Sequence, residues 1–148
     1  LSFDPNIREP LWKDMEDART QMAYGLSVCD ILKISDNEIQ WFSGKEDYTE
    51  GIHMLQQTYQ IPLILLSMGR DGSRAYYKDM LVEVPAFLQK NTFGACCLHH
   101  ILKYGLDNLT KQQLKEMLTF ANAAASIITT RKGALRVMPS LEEIQRLL

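Results

Sequence analysis

The sequence predicts an α/β fold built on a mostly parallel sheet with an antiparallel edge hairpin. Three observations carry that prediction. Pro62-Leu63-Ile64-Leu65-Leu66-Ser67-Met68 is almost continuously apolar, as expected of a strand buried on both faces of a parallel sheet. Leu11, Met15, Ala18, Met22 and Leu26 repeat at intervals of three and four, the period of a helix laid on a core. Strand-like and helical segments then alternate along the chain, the order of a sheet covered by helices.

Taken in order, Leu1-Ser2-Phe3 reads as a short strand broken at Asp4-Pro5-Asn6. The first helical period runs from Trp12 to Leu26, with Pro10 suited to its first turn and Gly25 or Ser27 placed to end it. Val28–Ile34 reads as a second strand. Ser35 or Asp36 then caps a short helix through Phe42, and Ser35 with Glu38 has the spacing of a capping box. A helix over Tyr48–Tyr59 places Ile52, Leu55 and Tyr59 on one face. Beyond the apolar strand, Gly69 and Gly72 mark a turn, and Ser73–Tyr77 and Leu81–Pro85 pair around Lys78-Asp79. The last third is helical: Gly94–Tyr104 ended by Gly105, Leu109–Thr129 with Thr110 as a cap, and a final helix after Ser140. There Ser140 and Glu143 repeat the capping-box spacing.

At 148 residues the chain holds about one domain's worth of core. It is 46% hydrophobic and 23% charged with a net charge of -2, which argues against disorder and against a generally nucleic-acid-binding surface. Leu118–Thr130 is uncharged but carries Asn122, Ser126 and three threonines, too short and polar to span a bilayer. Neither nucleic acid nor membrane is an expected partner, and the expected location is cytoplasmic. Cys29, Cys96 and Cys97 form no disulfide framework and no CxxC pair. His99 and His100 are adjacent and share no helix face, so they make a poor chelating pair.

Several segments then fall into one order. Asp4-Pro5-Asn6-Ile7-Arg8 followed by Leu11-Trp12 is similar to a D-x-N-x-R segment. Lys33-Ile34-Ser35-Asp36-Asn37-Glu38 is similar to a strand and acidic segment near nucleotide phosphates. Ser67-Met68-Gly69-Arg70-Asp71-Gly72-Ser73 resembles a T-x-G-x-x-G-S turn with serine first. Phe120–Ala125, Thr130–Ala134 and Pro139 follow a C-terminal helix and an adenine-side loop. Together they resemble the C-terminal half of a ribokinase-like carbohydrate kinase of the PfkB family, nearest to its fructokinase branch. The resemblance implies a ribokinase-like, Rossmann-like three-layer fold, here partial. Residues 1–148 would be a single domain corresponding to the nucleotide-binding half.

That resemblance implies ATP-dependent phosphorylation of a sugar hydroxyl, with ATP and Mg²⁺ as cofactor. It places Asn6 and Arg8 toward substrate or transferred phosphate, and Arg8 suits an anionic oxygen because its fork donates bidentately. Glu38 becomes the carboxylate that orders water and Mg²⁺ near the phosphates; Ser67, Gly69 and Gly72 border the nucleotide; Asn122, Gly133 and Ala134 lie toward adenine. Each has an ordinary structural reading as well: an Asx turn for Asp4 and Asn6, a cap for Glu38, tight-turn geometry for the glycines.

One motif departs from the family. Its catalytic D-T-x-G-A-G-D appears as Asn91-Thr92-Phe93-Gly94-Ala95-Cys96-Cys97, so Cys97 stands where relatives have the aspartate that takes the sugar proton. Gly94 and Ala95 retain part of a backbone nest for phosphate, whereas Cys96 adds a Cβ. A thiol serves as base only as thiolate, so Cys97 is not expected to function. The family's chains are also longer. The expectation is therefore an inactive C-terminal nucleotide-binding portion, binding sugar only if a missing N-terminal half is supplied, and partnered by a homo-oligomer or an upstream segment. A non-catalytic structural or interaction protein derived from a sugar kinase is the alternative.

Overall fold

A computed structural model describes residues 1–86, 93–129 and 139–148. Its five strands are β1 (Ser2–Phe3), β2 (Ile31–Ser35), β3 (Leu63–Ser67), β4 (Ser73–Tyr77) and β5 (Met80–Val84), hydrogen-bonded in that order across one sheet. The helices are α1 (Met15–Val28), α2 (Asp36–Ser43), α3 (Tyr48–Tyr59), α4 (Phe93–Tyr104), α5 (Lys111–Thr129) and α6 (Leu141–Gln145). The chain divides into two compact units, Leu1–Ser67 with Tyr76–Asp79 and Met68–Ala75 with Met80–Leu148.

In the first unit β2 pairs in parallel with β1 (Ser2 with Ile31, Phe3 with Leu32) and with β3 (Ile31 with Leu63 through Ser35 with Ser67). Leu63–Leu66 is buried throughout, as the continuous apolar run predicts for a strand covered on both faces. Helix α1 starts three residues later than its apolar period suggests, because Pro10 lies in a separate 3-10 turn, Glu9–Leu11, and Asp14 caps the helix by accepting from the Glu16 N–H at 2.9 Å. Nor does Gly25 end it. A Cβ there would stand 2.4 Å from the Phe3 ring, so this glycine brings the helix against β1 instead, and the helix runs on to Val28. The following strand is correspondingly shorter than the expected Val28–Ile34 at its start.

Helix α2 has the complete capping box, with Ser35 and Glu38 satisfying each other's backbone N–H groups, and Gly44 closes it in the left-handed conformation at φ 68°. Arg19 from α1 donates to the last α2 carbonyls, Phe42 at 2.7 Å and Trp41 at 3.1 Å, while its guanidinium lies 4.7 Å from the Trp41 ring centroid. The terminal amino group of Leu1 pairs with Asp30.

In the second unit Arg74 on β4 meets Glu83 on β5 at 2.7 Å. Helix α5 packs on α4 and β5, and its Leu114, Met117, Leu118, Ala121 and Ala124 are buried. His100 sits against Phe120 with ring centroids 4.9 Å apart, a packing contact that draws its ring pKa down through burial. The second capping box, Ser140 with Glu143, opens α6, whose Ile144 is buried. Among the described residues no helix is long and apolar enough to cross a membrane.

Candidate functional site

In parallel strands the carboxyl ends lie on one side of the sheet, and in open α/β sheets that is where ligands bind. Two of the expected segments leave the first unit's sheet there. β1 ends at Phe3 and runs into Asp4–Arg8; β2 ends at Ser35 and runs into α2. Glu38 joins them. One oxygen of its carboxylate accepts from the Ile7 N–H at 2.8 Å, and the other accepts from the Ser35 N–H at 2.9 Å and the Ser35 hydroxyl at 2.7 Å. Burial alone would raise the Glu38 pKa; the Ser35 and Ile7 hydrogen bonds and the charge of Lys33 outweigh it and hold the carboxyl below its ordinary value. Lys33 also pairs with Asp4 at 3.2 Å.

Asn6 adopts φ 45°, a left-handed conformation that asparagine tolerates better than most residues. Arg8 is exposed, and one guanidinium nitrogen donates to the Ile7 carbonyl at 3.3 Å. Ser67, at the end of β3, donates its hydroxyl to the Ile34 carbonyl at 3.4 Å.

The second unit holds the glycine turn. Met68 N–H donates to the Gly72 carbonyl at 2.9 Å, closing a 3-10 turn over Gly69–Asp71. Gly72 has φ 101°, and a Cβ on it would stand 2.2 Å from the Val84 carbonyl oxygen, so no other residue fits without moving backbone. Next to it Ser73, 1% exposed, donates to the Asn122 side-chain oxygen at 3.2 Å, and the Asn122 amide donates to the Pro85 carbonyl at 3.2 Å. Asn122, 7% exposed, thus fastens α5 to the end of β5 and to the glycine turn. Sequence reasoning singled out Asn122 but not Ser73 as its partner, although both lie in the quoted segments.

Gly94 is half-buried and Ala95 exposed in the first turn of α4. Burial pushes the Cys96 thiol up to about 11 and, with Cys96 beside it, the Cys97 thiol well above its ordinary value; Cys97 is 0% exposed. Burial of this kind favours the neutral thiol over the thiolate. Asn91, Thr92, Gly133 and Ala134 lie outside the described residues. Among the described residues no group of three or more His, Cys, Asp or Glu side chains is arranged to hold a metal ion. A Mg²⁺ bound mainly through nucleotide phosphates needs only one or two carboxylates, and Glu38, with three of about four acceptor positions used, retains one.

Comparison with known proteins gives a consistent result. Residues 1–141 match the family described as pfkB family carbohydrate kinase. Fructokinase-1 of Zea mays is 33% identical over 100% of this chain and 48% of its own length. A fructokinase from Vibrio cholerae O395 solved with fructose, ADP and calcium ion aligns with TM-score 0.86 and 23% identity, covering 99% of this chain and 50% of that one. A fructokinase from Xylella fastidiosa with bound ATP aligns with TM-score 0.80 and 26% identity, covering 99% and 50%.

These findings correct five linked expectations. The family match runs through 1–141 and the fold match through 99% of the chain, so the likeness is a property of nearly the whole chain rather than of a C-terminal half alone. The ribokinase-like α/β fold with a mixed sheet stands, but its description as a partial fold does not. The expected inactive nucleotide-binding portion, and with it the expectation of an inactive enzyme, also fall, since the family and fold matches run through nearly the whole chain. Sugar binding conditional on a missing N-terminal half, with a homo-oligomer or upstream segment as partner, loses the same premise. Those expectations leaned on chain length and one loop, and neither measures how much of this chain follows the family. The chain spans about half the length of the curated relatives it matches.

Proposed function

Because the chain belongs to the pfkB family of carbohydrate kinases, we propose that it serves ATP-dependent phosphorylation of a sugar hydroxyl, with fructose as the substrate to test first. The observation that carries this reading is the Asn6–Arg8 segment, clasped by Glu38 at the carboxyl ends of β1 and β2 with an exposed Arg8 guanidinium. ATP with Mg²⁺ is the cofactor at the level of the family.

Phosphoryl transfer is chiefly positioning and stabilisation of charge on the moving group. In this reading Arg8 meets phosphoryl oxygens, Asn6 faces the sugar, and the turn at Ser67, Gly69 and Gly72 offers backbone N–H groups to the nucleotide. Gly94 and Ala95 supply amides of the α4 first turn to the transferred phosphate. Asn122 sets the adenine side through the backbone it anchors, with Gly133 and Ala134 as its loop. Glu38 lies toward Mg²⁺ as an indirect partner that orders water near the phosphates, not as a direct ligand. Cys97 takes no proton. In this reading residues 1–148 form one domain, and a cytoplasmic location belongs to the same proposal, supported by three free, buried thiols.

The test is a coupled ADP-release assay with ATP, Mg²⁺ and fructose or related hexoses. Sugar-dependent release that falls at least tenfold in Arg8→Ala, with ATP hydrolysis in buffer subtracted, supports the proposal. No sugar-dependent release from folded protein overturns it for this chain.

A further inference from the structure

The main chain at Ile7 is held on both sides of its Cα. Its N–H donates to Glu38 at 2.8 Å, and its carbonyl accepts from the Arg8 guanidinium at 3.3 Å. The same carboxylate is anchored on β2 and α2 by the Ser35 N–H and hydroxyl. Immediately before Ile7, Asn6 keeps φ 45°, a conformation that non-glycine residues hold only when their surroundings impose it. Three donors converge on two oxygens, so most of the acceptor capacity of Glu38 is spent on protein.

From this geometry we propose that Glu38 is a positioning residue, whose carboxylate fixes the Asn6–Arg8 turn and acts on a phosphoryl group through Arg8 rather than by holding the metal itself. This deepens the kinase reading and rests on it for the identity of the ligand. The clasp itself does not. The chemistry requires a carboxylate, because an amide has one acceptor and one donor end. In Glu38→Gln, whichever way the amide turns, an NH₂ faces either the Ile7 N–H or the Ser35 donors, and one anchor is lost. Arg8 then keeps its charge but not its place.

The experiment has two arms. In the first, amide hydrogen exchange is measured by NMR on wild type and Glu38→Gln. The Ile7 amide or the Ser35 amide should exchange at least tenfold faster in the variant, while β3 amides keep their wild-type rates; unchanged exchange of both in folded Glu38→Gln overturns the proposal. Should the variant not fold, the wild-type protein decides the matter. The Glu38 carboxyl carbon and the Ile7 amide must titrate together, at a midpoint below ordinary glutamate, with Lys33 from β2 and Asp4 beside it as the neighbouring charges; independent titration overturns the proposal. In the second arm ATP binding is measured by calorimetry, with Mg²⁺ varied, for Glu38→Gln, Arg8→Ala and the double variant. Action through Arg8 predicts that the double variant binds no more weakly than Arg8→Ala, with unchanged Mg²⁺ dependence. Additive losses, or a Mg²⁺ requirement raised tenfold by Glu38→Gln alone, assign Glu38 to the metal and overturn the proposal. If wild type binds no ATP, the kinase reading fails while amide exchange at Ile7 and Ser35 still decides the clasp.

Discussion

Replacing Cys97 by aspartate installs the residue type that the resemblance implies for that position, and the structure predicts a pH-dependent penalty for doing so. The position is 0% exposed, and its thiol is already held well above its ordinary pKa by burial. A carboxyl group in the same enclosure has an unfolded pKa of about 3.9 and, fully buried, a folded value raised by roughly 3–5 units. Each unit is worth about 1.36 kcal/mol. A raised folded pKa means that the carboxyl group's contribution is intact below the unfolded pKa and is lost as pH rises toward the folded one. Between pH 4.5 and pH 7 the loss is therefore about 3 kcal/mol relative to a neutral side chain. Position 97 lies beyond the first turn of α4, so the helix dipole returns little of this. The assay is urea denaturation of Cys97→Asp and Cys97→Ser at both pH values. The gap in unfolding free energy between the two should widen by about 3 kcal/mol at the higher pH. A gap that stays within 0.5 kcal/mol would refute the reasoning. It would mean that solvent or a cation reaches position 97, and the site would then have room for a working aspartate.

Other substitutions separate conformation from contact. Gly72→Ala should cost about 2–5 kcal/mol in denaturant unfolding, combining a positive φ with a Cβ driven into the Val84 carbonyl. Gly25→Ala should stay within about 1 kcal/mol, because only the tip of the Phe3 ring must move and alanine favours the helix. Asn122→Ala should lose about 1–3 kcal/mol by orphaning Ser73 and the Pro85 carbonyl, read by thermal melting. All three thiols should resist an aromatic disulfide reagent at pH 8 in native protein and react together once urea unfolds it, since each is buried.

What the sequence made legible was whatever a side-chain pattern encodes directly. The Tyr48–Tyr59 helix has the expected ends, the apolar run became β3, and both Ser-x-x-Glu boxes close as spaced. Where the reading slipped, a tertiary contact had overridden a local signal. Gly25 looked like a helix stop and serves as a packing surface; Pro10 looked like a helix start and sits in its own turn. At the candidate site the residue types were readable, but the Ile7 N–H and the carbonyls of Val84 and Pro85 were not, since backbone donors and acceptors leave no mark in a sequence.

That difference bears on how this family's motif residues work here. Glu38 and Asn122 were singled out as groups that would face metal and adenine, yet each spends most of its hydrogen-bonding capacity on neighbouring chain: Glu38 on Ile7 and Ser35, Asn122 on Ser73 and Pro85. A buried polar group left without such partners costs about 1–3 kcal/mol, so their residue types are demanded by the fold before any ligand arrives. What they hold in place is backbone: a left-handed Asn6, a Gly72 that tolerates no Cβ, and the segment after β5. Recognition of a phosphate by N–H groups needs peptide planes set in advance, because donors that must reorganise on binding lose part of what they contribute. On the proposed reading, the motif carboxylate and the motif amide set two turns, and Arg8 is the exposed charged side chain that reaches outward.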